Sequence, residues 1–317
     1  MDRRTGTTVP TFVVAGAGRA GTTGLVEALR AHPHAFVTTP KEPHYLAMHG
    51  SRPDFRGPGD DESINRTAVT DERDYLDLFS DDPAHTARGE GSVSTLYYHR
   101  TALPELLRIN PDVRVVLLLR EPVARAYSSF QYLRAQGREP EEDFLAALDD
   151  EPRRRADNWH HLWHYSQMSL YADAVADFTT QLRPGHLGVW FHDDLEADFA
   201  GTLREVVQFL GLPAVPGLGE DAARVNISGT PRFHRLQQGL WWASGRPAVR
   251  RSARALTSWR FREAVRSRLI TRQEVPDRVV DAVAPLFEED LARLRDLLGP
   301  SVGVPAWLQA PRGARTA

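Results

Sequence analysis

A run of small residues between an apolar stretch and a helical pattern is the first place where this chain could do chemistry. Gly16-Ala17-Gly18-Arg19-Ala20-Gly21-Thr22-Thr23 follows the apolar Thr11 to Ala15, and from Thr22 to Arg30 the residues Leu25, Ala28 and Leu29 recur at helical spacing. A glycine-rich turn between a strand and a helix aims several backbone N–H groups and the helix N-terminus at one point, which suits a phosphate. Gly16-xxxx-Gly21-Thr22-Thr23 has the spacing of a nucleoside-triphosphate loop, but Thr22 stands where that loop carries its lysine, and the cation inside it is Arg19. Alone, such a turn also fits plain close packing of a helix on its strand. A second junction has Arg120 at the end of an apolar run and Ser128 on the following helix, where both can face one phosphate. A third group, Lys41-Glu42-Pro43-His44, joins the sole lysine of the chain to a carboxylate and an imidazole, either a surface ion pair or a base with its partner.

The elements that must hold these groups alternate. Thr11 to Ala15, Ala35 to Val37, Val113 to Leu119 and His186 to Phe191 read as strands, Val113 to Leu119 as a central one. Helical patterns follow at Thr22 to Arg30, from Pro122 with Val123, Ala126, Tyr127, Phe130 and Leu133 inward, and at Leu170 to Leu182, Gly201 to Leu210 and Arg278 to Leu298. This order predicts an α/β fold, a central mostly parallel sheet with helices on both faces. His49 to Asp74 reads as a polar excursion or lid, and Gln136 to Asn158 as a mobile, charge-rich connector with a helix.

The 317 residues are read as one domain over 11–307, with a flexible leader at 1–10 and a flexible tail at 308–317. The absence of cysteine excludes disulfides, thiolate chemistry and cysteine metal sites. No apolar run nears the roughly 18 residues of a membrane span, and Phe12 to Ala15 is too short for a signal-peptide core, so a soluble, cytoplasmic protein is expected. A net charge of −3 gives no global pull toward nucleic acid.

The loop resembles the 5′-phosphosulfate loop of sulfotransferases that use 3′-phosphoadenosine 5′-phosphosulfate (PAPS), with Arg19 at the lysine position. Leu119-Arg120-Glu121-Pro122 with Arg125-Ala126-Tyr127-Ser128 resembles that family's 3′-phosphate motif. Lys41-Glu42-Pro43-His44-Tyr45, Gly89-Glu90-Gly91-Ser92, Phe191 to Leu195, Phe209 to Leu212 and Asn226 to Arg232 resemble further family segments, in the family's order. The resemblance implies a P-loop-NTPase-like sulfotransferase fold, PAPS as donor, PAP as product and no metal. It further implies nucleotide contacts from Gly16 to Thr23, Arg120, Ser128, Ser228, Gly229 and Arg232. Arg19 would neutralise the leaving phosphate. In the carbohydrate-type branch, the nearer match, a glutamate at the position of Glu42 is the base; His44 is the alternative, and Lys41 stands beside both.

Other features are weighed against this reading. His160-His161-Leu162-Trp163-His164 has two histidines at i, i+4, but His161 stands where a zinc-protease helix has its glutamate, so no metal is expected. Trp159, Trp163 and Tyr165 fit an acceptor pocket or plain core. Arg246 to Arg272 holds nine arginines and one glutamate, either a solvated face or a contact for an anionic acceptor or membrane surface. The rival functions are a P-loop kinase or NTPase, with Asp193 as its metal carboxylate, and a PAP- or PAPS-binding protein without turnover. The acceptor is not legible.

Overall fold

The computed structural model describes residues 8–220, 274–300 and 302–309, and the backbone of Thr230–Pro231 and Ile270–Thr271. Strands β1 (Phe12–Gly16), β2 (Ala35–Val37), β3 (Ala87–Glu90), β4 (Arg114–Leu119) and β5 (Leu187–Phe191) form one sheet in the order β2-β3-β1-β4-β5. Every pairing in it is parallel. All of β1, and β4 from Val115 onward, is buried, as the unbroken apolar runs require of strands covered on both faces. A separate pair joins β6 (Thr230–Pro231) to β7 (Ile270–Thr271) in antiparallel fashion.

β1 lies at the centre, with β3 on one side and β4 on the other. Its carboxyl end therefore adjoins the ends of both neighbours, the part of an open parallel sheet where ligands bind. α1 (Thr22–Arg30) follows β1, and a longer helix, Pro122–Ala135, follows β4. A smaller apolar cluster beside the main core packs Val123, Phe130, Phe144, Trp163 and Tyr165 against Val279, Val283 and Phe287.

Several elements differ from expectation. β3 was not predicted, because Ala87-Arg88-Gly89-Glu90 lacks an apolar run; it forms because Gly89 leaves room for the Phe12 ring, 2.4 Å from where a Cβ would stand. The predicted helix over Arg278 to Leu298 is broken into Asp277–Val283, a tight turn at Ala284–Phe287 and Glu288–Leu298, with Pro285 removing a donor at the break. The connector from Gln136 is braced: Arg154, fully buried, pairs with Glu139 through two bonds of 2.8 Å and with Asp150 at 2.9 Å. The polar excursion is tied down as well, since Asp60 accepts from the Gly57 and His160 amides and from the Trp163 indole.

Candidate active site

The loop leaving β1 is shaped by the strands beside it. The Ala17 amide donates to the Leu118 carbonyl, Arg120 Nη1 donates to the Arg19 carbonyl at 2.9 Å, and His192 Nδ1 lies 3.1 Å from the Ala20 carbonyl. Gly21 precedes α1 with φ of 100°, a conformation that favours glycine, and no side chain caps the helix. An uncapped N-terminus with a threonine pair in its first turn fits an anionic phosphate.

The second junction is built differently. Glu121 caps the Pro122–Ala135 helix itself, its carboxylate accepting from the Val123 and Ala124 amides. Any anion there is left to side chains, and Arg120 and Ser128 are both partly exposed. Arg19 reaches across to this junction: Nε donates to Ser128 Oγ at 3.3 Å, and its guanidinium lies 4.6 Å over the Tyr132 ring.

The cation that meets α1 is Lys41. Its Nζ donates to Thr22 Oγ1 at 3.3 Å and to Glu42 Oε1 at 2.7 Å. The end of β3 holds this turn in place, with the Gly91 amide donating to the Lys41 carbonyl and the His44 amide donating to Ser92 Oγ at 3.0 Å. A Cβ on Gly91 would come within 3.0 Å of Lys41 Cε, so glycine there lets the lysine lie flat. His44 has φ of 60°, its Nδ1 is 2.9 Å from Ser94 Oγ, and its Nε2 is 4.0 Å from Glu42 Oε2. Burial works to raise the Glu42 carboxyl, but Lys41, His44 and a bond from the Val93 backbone outweigh it and hold it below the usual carboxylate range. Glu42 is thus ionised at neutral pH while its side chain stays 30% exposed. Burial pushes the His44 imidazole below its ordinary value, against the pull of Glu42.

Residues 10–216 match the sequence profile of the sulfotransferase family. The chain belongs to that family. Mouse heparan sulfate glucosamine 3-O-sulfotransferases 3B1 and 3A1 are each 24% identical to this chain over 210 residues, 65% of its length and 47% of theirs. It therefore spans about half the length of these curated relatives. The crystal structure of a sulfotransferase from Alicyclobacillus acidocaldarius superposes with a TM-score of 0.72 at 24% identity, covering 95% of this chain and all of that one, so the fold is shared.

Gly16 to Thr23, Lys41, Glu42, His44, Arg120 and Ser128 thus gather at one edge of the sulfotransferase sheet. Ser228, Gly229 and Arg232 lie outside the described residues, as does Arg246 to Arg272 apart from the Ile270–Thr271 backbone. Asp193 is exposed and accepts from the Trp307 indole at 3.1 Å. Trp163 and Tyr165 belong to the smaller core, Tyr165 donating to Glu139. The histidine stretch folds as a short 3₁₀ turn, so the helical i, i+4 geometry is not present. Among the described residues no helix is long and apolar enough to cross a membrane.

Sequence reasoning missed two buried groups. Glu90 stands in the sequence only as part of a segment; its Oε2 accepts from the Ser92 amide at 2.5 Å, its Oε1 has no partner among the described residues, and burial pushes it up to about 7. Arg125, fully buried on the Pro122–Ala135 helix, donates to Ser169 Oγ and to the Tyr165 carbonyl, and its Nη1 has no partner among the described residues. It ties this helix to the segment whose Met168 approaches Gly18. Neither carries a local signal beyond being a charge inside a recognised segment.

Proposed function

We propose that this chain transfers the sulfonate of PAPS to a hydroxyl or amine of an acceptor, with Glu42 as the base. One observation carries the reading: Lys41 Nζ bridges Thr22 Oγ1 at the start of α1 and Glu42 Oε1, so the anion loop and the base lie within reach of one ammonium. When bound, PAPS supplies the reactive sulfonate. The uncapped α1 end, Thr22 and Thr23 take its 5′ side, and Arg120 and Ser128 take its 3′-phosphate. The acceptor oxygen or nitrogen attacks sulfur as its proton passes to Glu42; the bond from sulfur to the 5′-phosphate oxygen breaks, and PAP leaves. Lys41 offsets the charge that grows on that oxygen, and Arg19 adds positive charge from the Ser128 side. The glycan acceptors named for the mouse relatives are one class to test, and peripheral contact through Arg246 to Arg272 with an anionic acceptor or membrane surface is another.

A calorimetric titration tests the reading. PAP should bind without magnesium, and labelled PAPS should then lose sulfonate to an acceptor in a screen. ATP binding that requires magnesium would instead support a kinase, and PAP binding without any turnover a sensor.

A further inference from the structure

Three consecutive residues after β3 hold the turn that carries Glu42 and His44, and each takes a different part of it. Ser92 Oγ accepts from the His44 amide at 3.0 Å, the Val93 backbone bonds the Glu42 carboxylate, and Ser94 Oγ lies 2.9 Å from His44 Nδ1. Ser94 opens the short helix Ser94–Tyr97 and is fully buried, and among the described residues this ring is the only partner of its hydroxyl. The His44 backbone has φ of 60°, a region uncommon for a residue with a side chain, so the turn depends on the bonds around it. His160 and His161 meet the same ring edge-on, with centroids 6.4 and 6.1 Å away.

Resting on the proposed sulfonate transfer, we infer that Ser94 is a positioning residue: its hydroxyl donates to His44 Nδ1, which puts the ring proton on Nε2, facing Glu42, and leaves Glu42 as the group that takes the acceptor's proton. Both ends of the ring give this direction. A buried hydroxyl that accepted from Nδ1 would leave its own proton unmet, whereas one that donates leaves only lone pairs unmet, and orphaned buried donors are the rarer case. At the other end, Nε2 stands 4.0 Å from Glu42 Oε2, too far for a hydrogen bond but near enough for charge to matter. An N–H there is attracted by the carboxylate, and a lone pair would be repelled. With Lys41 Nζ on Oε1 at 2.7 Å and the Nε2 proton facing Oε2, a donor stands beside each oxygen of Glu42. An imidazole protonated on Nε2 has no lone pair at that atom to serve as a base, so Ser94 decides between the two candidate bases. The groups that face Glu42 are Lys41 and His44 on its own turn and Glu90 from β3; those that face His44 are Glu42, Lys41, His160 and His161. A substitution at Ser94 leaves all of them in place.

The experiment has two stages. Calorimetry with PAP comes first, and failure to bind overturns the sulfotransferase reading and this inference with it. With binding established, nitrogen NMR of the PAP complex at pH 7 reads the His44 ring, assigned through bonds from its backbone. The proton should be on Nε2, with Nδ1 accepting a hydrogen bond. In Ser94→Ala the Nδ1 signal should move to that of an unbonded nitrogen, and the Glu42 carboxyl, followed by carbon NMR, should titrate at higher pH than in the parent, with PAP affinity unchanged. Ser94→Thr, which keeps the hydroxyl, should restore both signals. Because Ser94 acts through the ring, Ser94→Ala should add nothing to the Glu42 shift already caused by His44→Asn, a replacement that tolerates the left-handed backbone. A proton on Nδ1, a charged ring at pH 7, an unmoved Glu42 titration in Ser94→Ala, additive shifts in the double variant, or a loss of PAP affinity with Ser94→Ala overturns the inference. If a variant does not fold, the tautomer of the parent still decides.

Discussion

Arg19 Nε donates to Ser128 Oγ across 109 residues of sequence, joining the loop after β1 to the helix after β4 by one side chain. The two residues belong to sites expected to hold opposite ends of the nucleotide, so a ligand that engages Ser128 must share it with Arg19 or displace it.

The first prediction concerns which cation serves the reacting end. Lys41→Ala should cut turnover by roughly 10²-fold or more, the scale of losing one transition-state donor, with a small change in PAP affinity. Arg19→Ala should weaken PAP more than it slows turnover, and Arg19→Lys should restore most of the affinity. Steady-state kinetics beside PAP titrations separate the two; the reverse pattern would place Arg19 at the sulfonate.

Arg120 is predicted to read the 3′-phosphate. Arg120→Ala should weaken PAP far more than 5′-AMP, which has no such group. Equal losses would mean that Arg120 acts only by holding the Arg19 carbonyl.

Glu42→Gln is expected to bind PAP almost normally and to lose about 10²–10⁴ of turnover, the usual range for a general base. Because Lys41 and His44 help hold the Glu42 carboxyl low, the acid limb of the parent's pH–rate profile should lie below the usual carboxylate range. An active Glu42→Gln enzyme together with an inactive His44→Ala enzyme would move the base to His44.

Glu90 should set a pH dependence of stability. Its carboxyl is raised to about 7 in the fold, so its contribution is complete below the unfolded value near 4.5 and is lost as pH rises through 7. The full span is roughly 3 kcal/mol. Glu90→Gln, which mimics the protonated form, should flatten the fall in melting temperature between pH 5 and 8; an unchanged slope would show that Glu90 is not the group.

The loop and α1 were legible because their signal is local: an apolar run, glycines and a helical period lie within one short stretch, and Thr22–Arg30 and Ala35–Val37 form with the bounds read from sequence. Lys41 and Glu42 were legible as candidates, but their junction with Thr22 was not, since it depends on β3, a strand whose existence rests on Gly89 making room for Phe12. Arg154 lies in the charge-rich stretch read as a mobile connector, and Arg125 lies in a motif read for its phosphate contacts; only tertiary packing buries them. His161 is similar: nothing in its sequence neighbours says that His44 stands 6.1 Å away.

The central place of β1 also has a consequence for synthesis. Its two flanking strands come from later parts of the chain, and Ser128 is made 109 residues after Arg19. At roughly 5–20 residues per second, the loop emerges from the ribosome about 5 to 20 seconds before the serine that Arg19 bonds. Until Ala87–Glu90 and then Arg114–Leu119 are made, β1 is an apolar strand with unpaired edges, which makes the growing chain, rather than the finished fold, the form most in need of a chaperone.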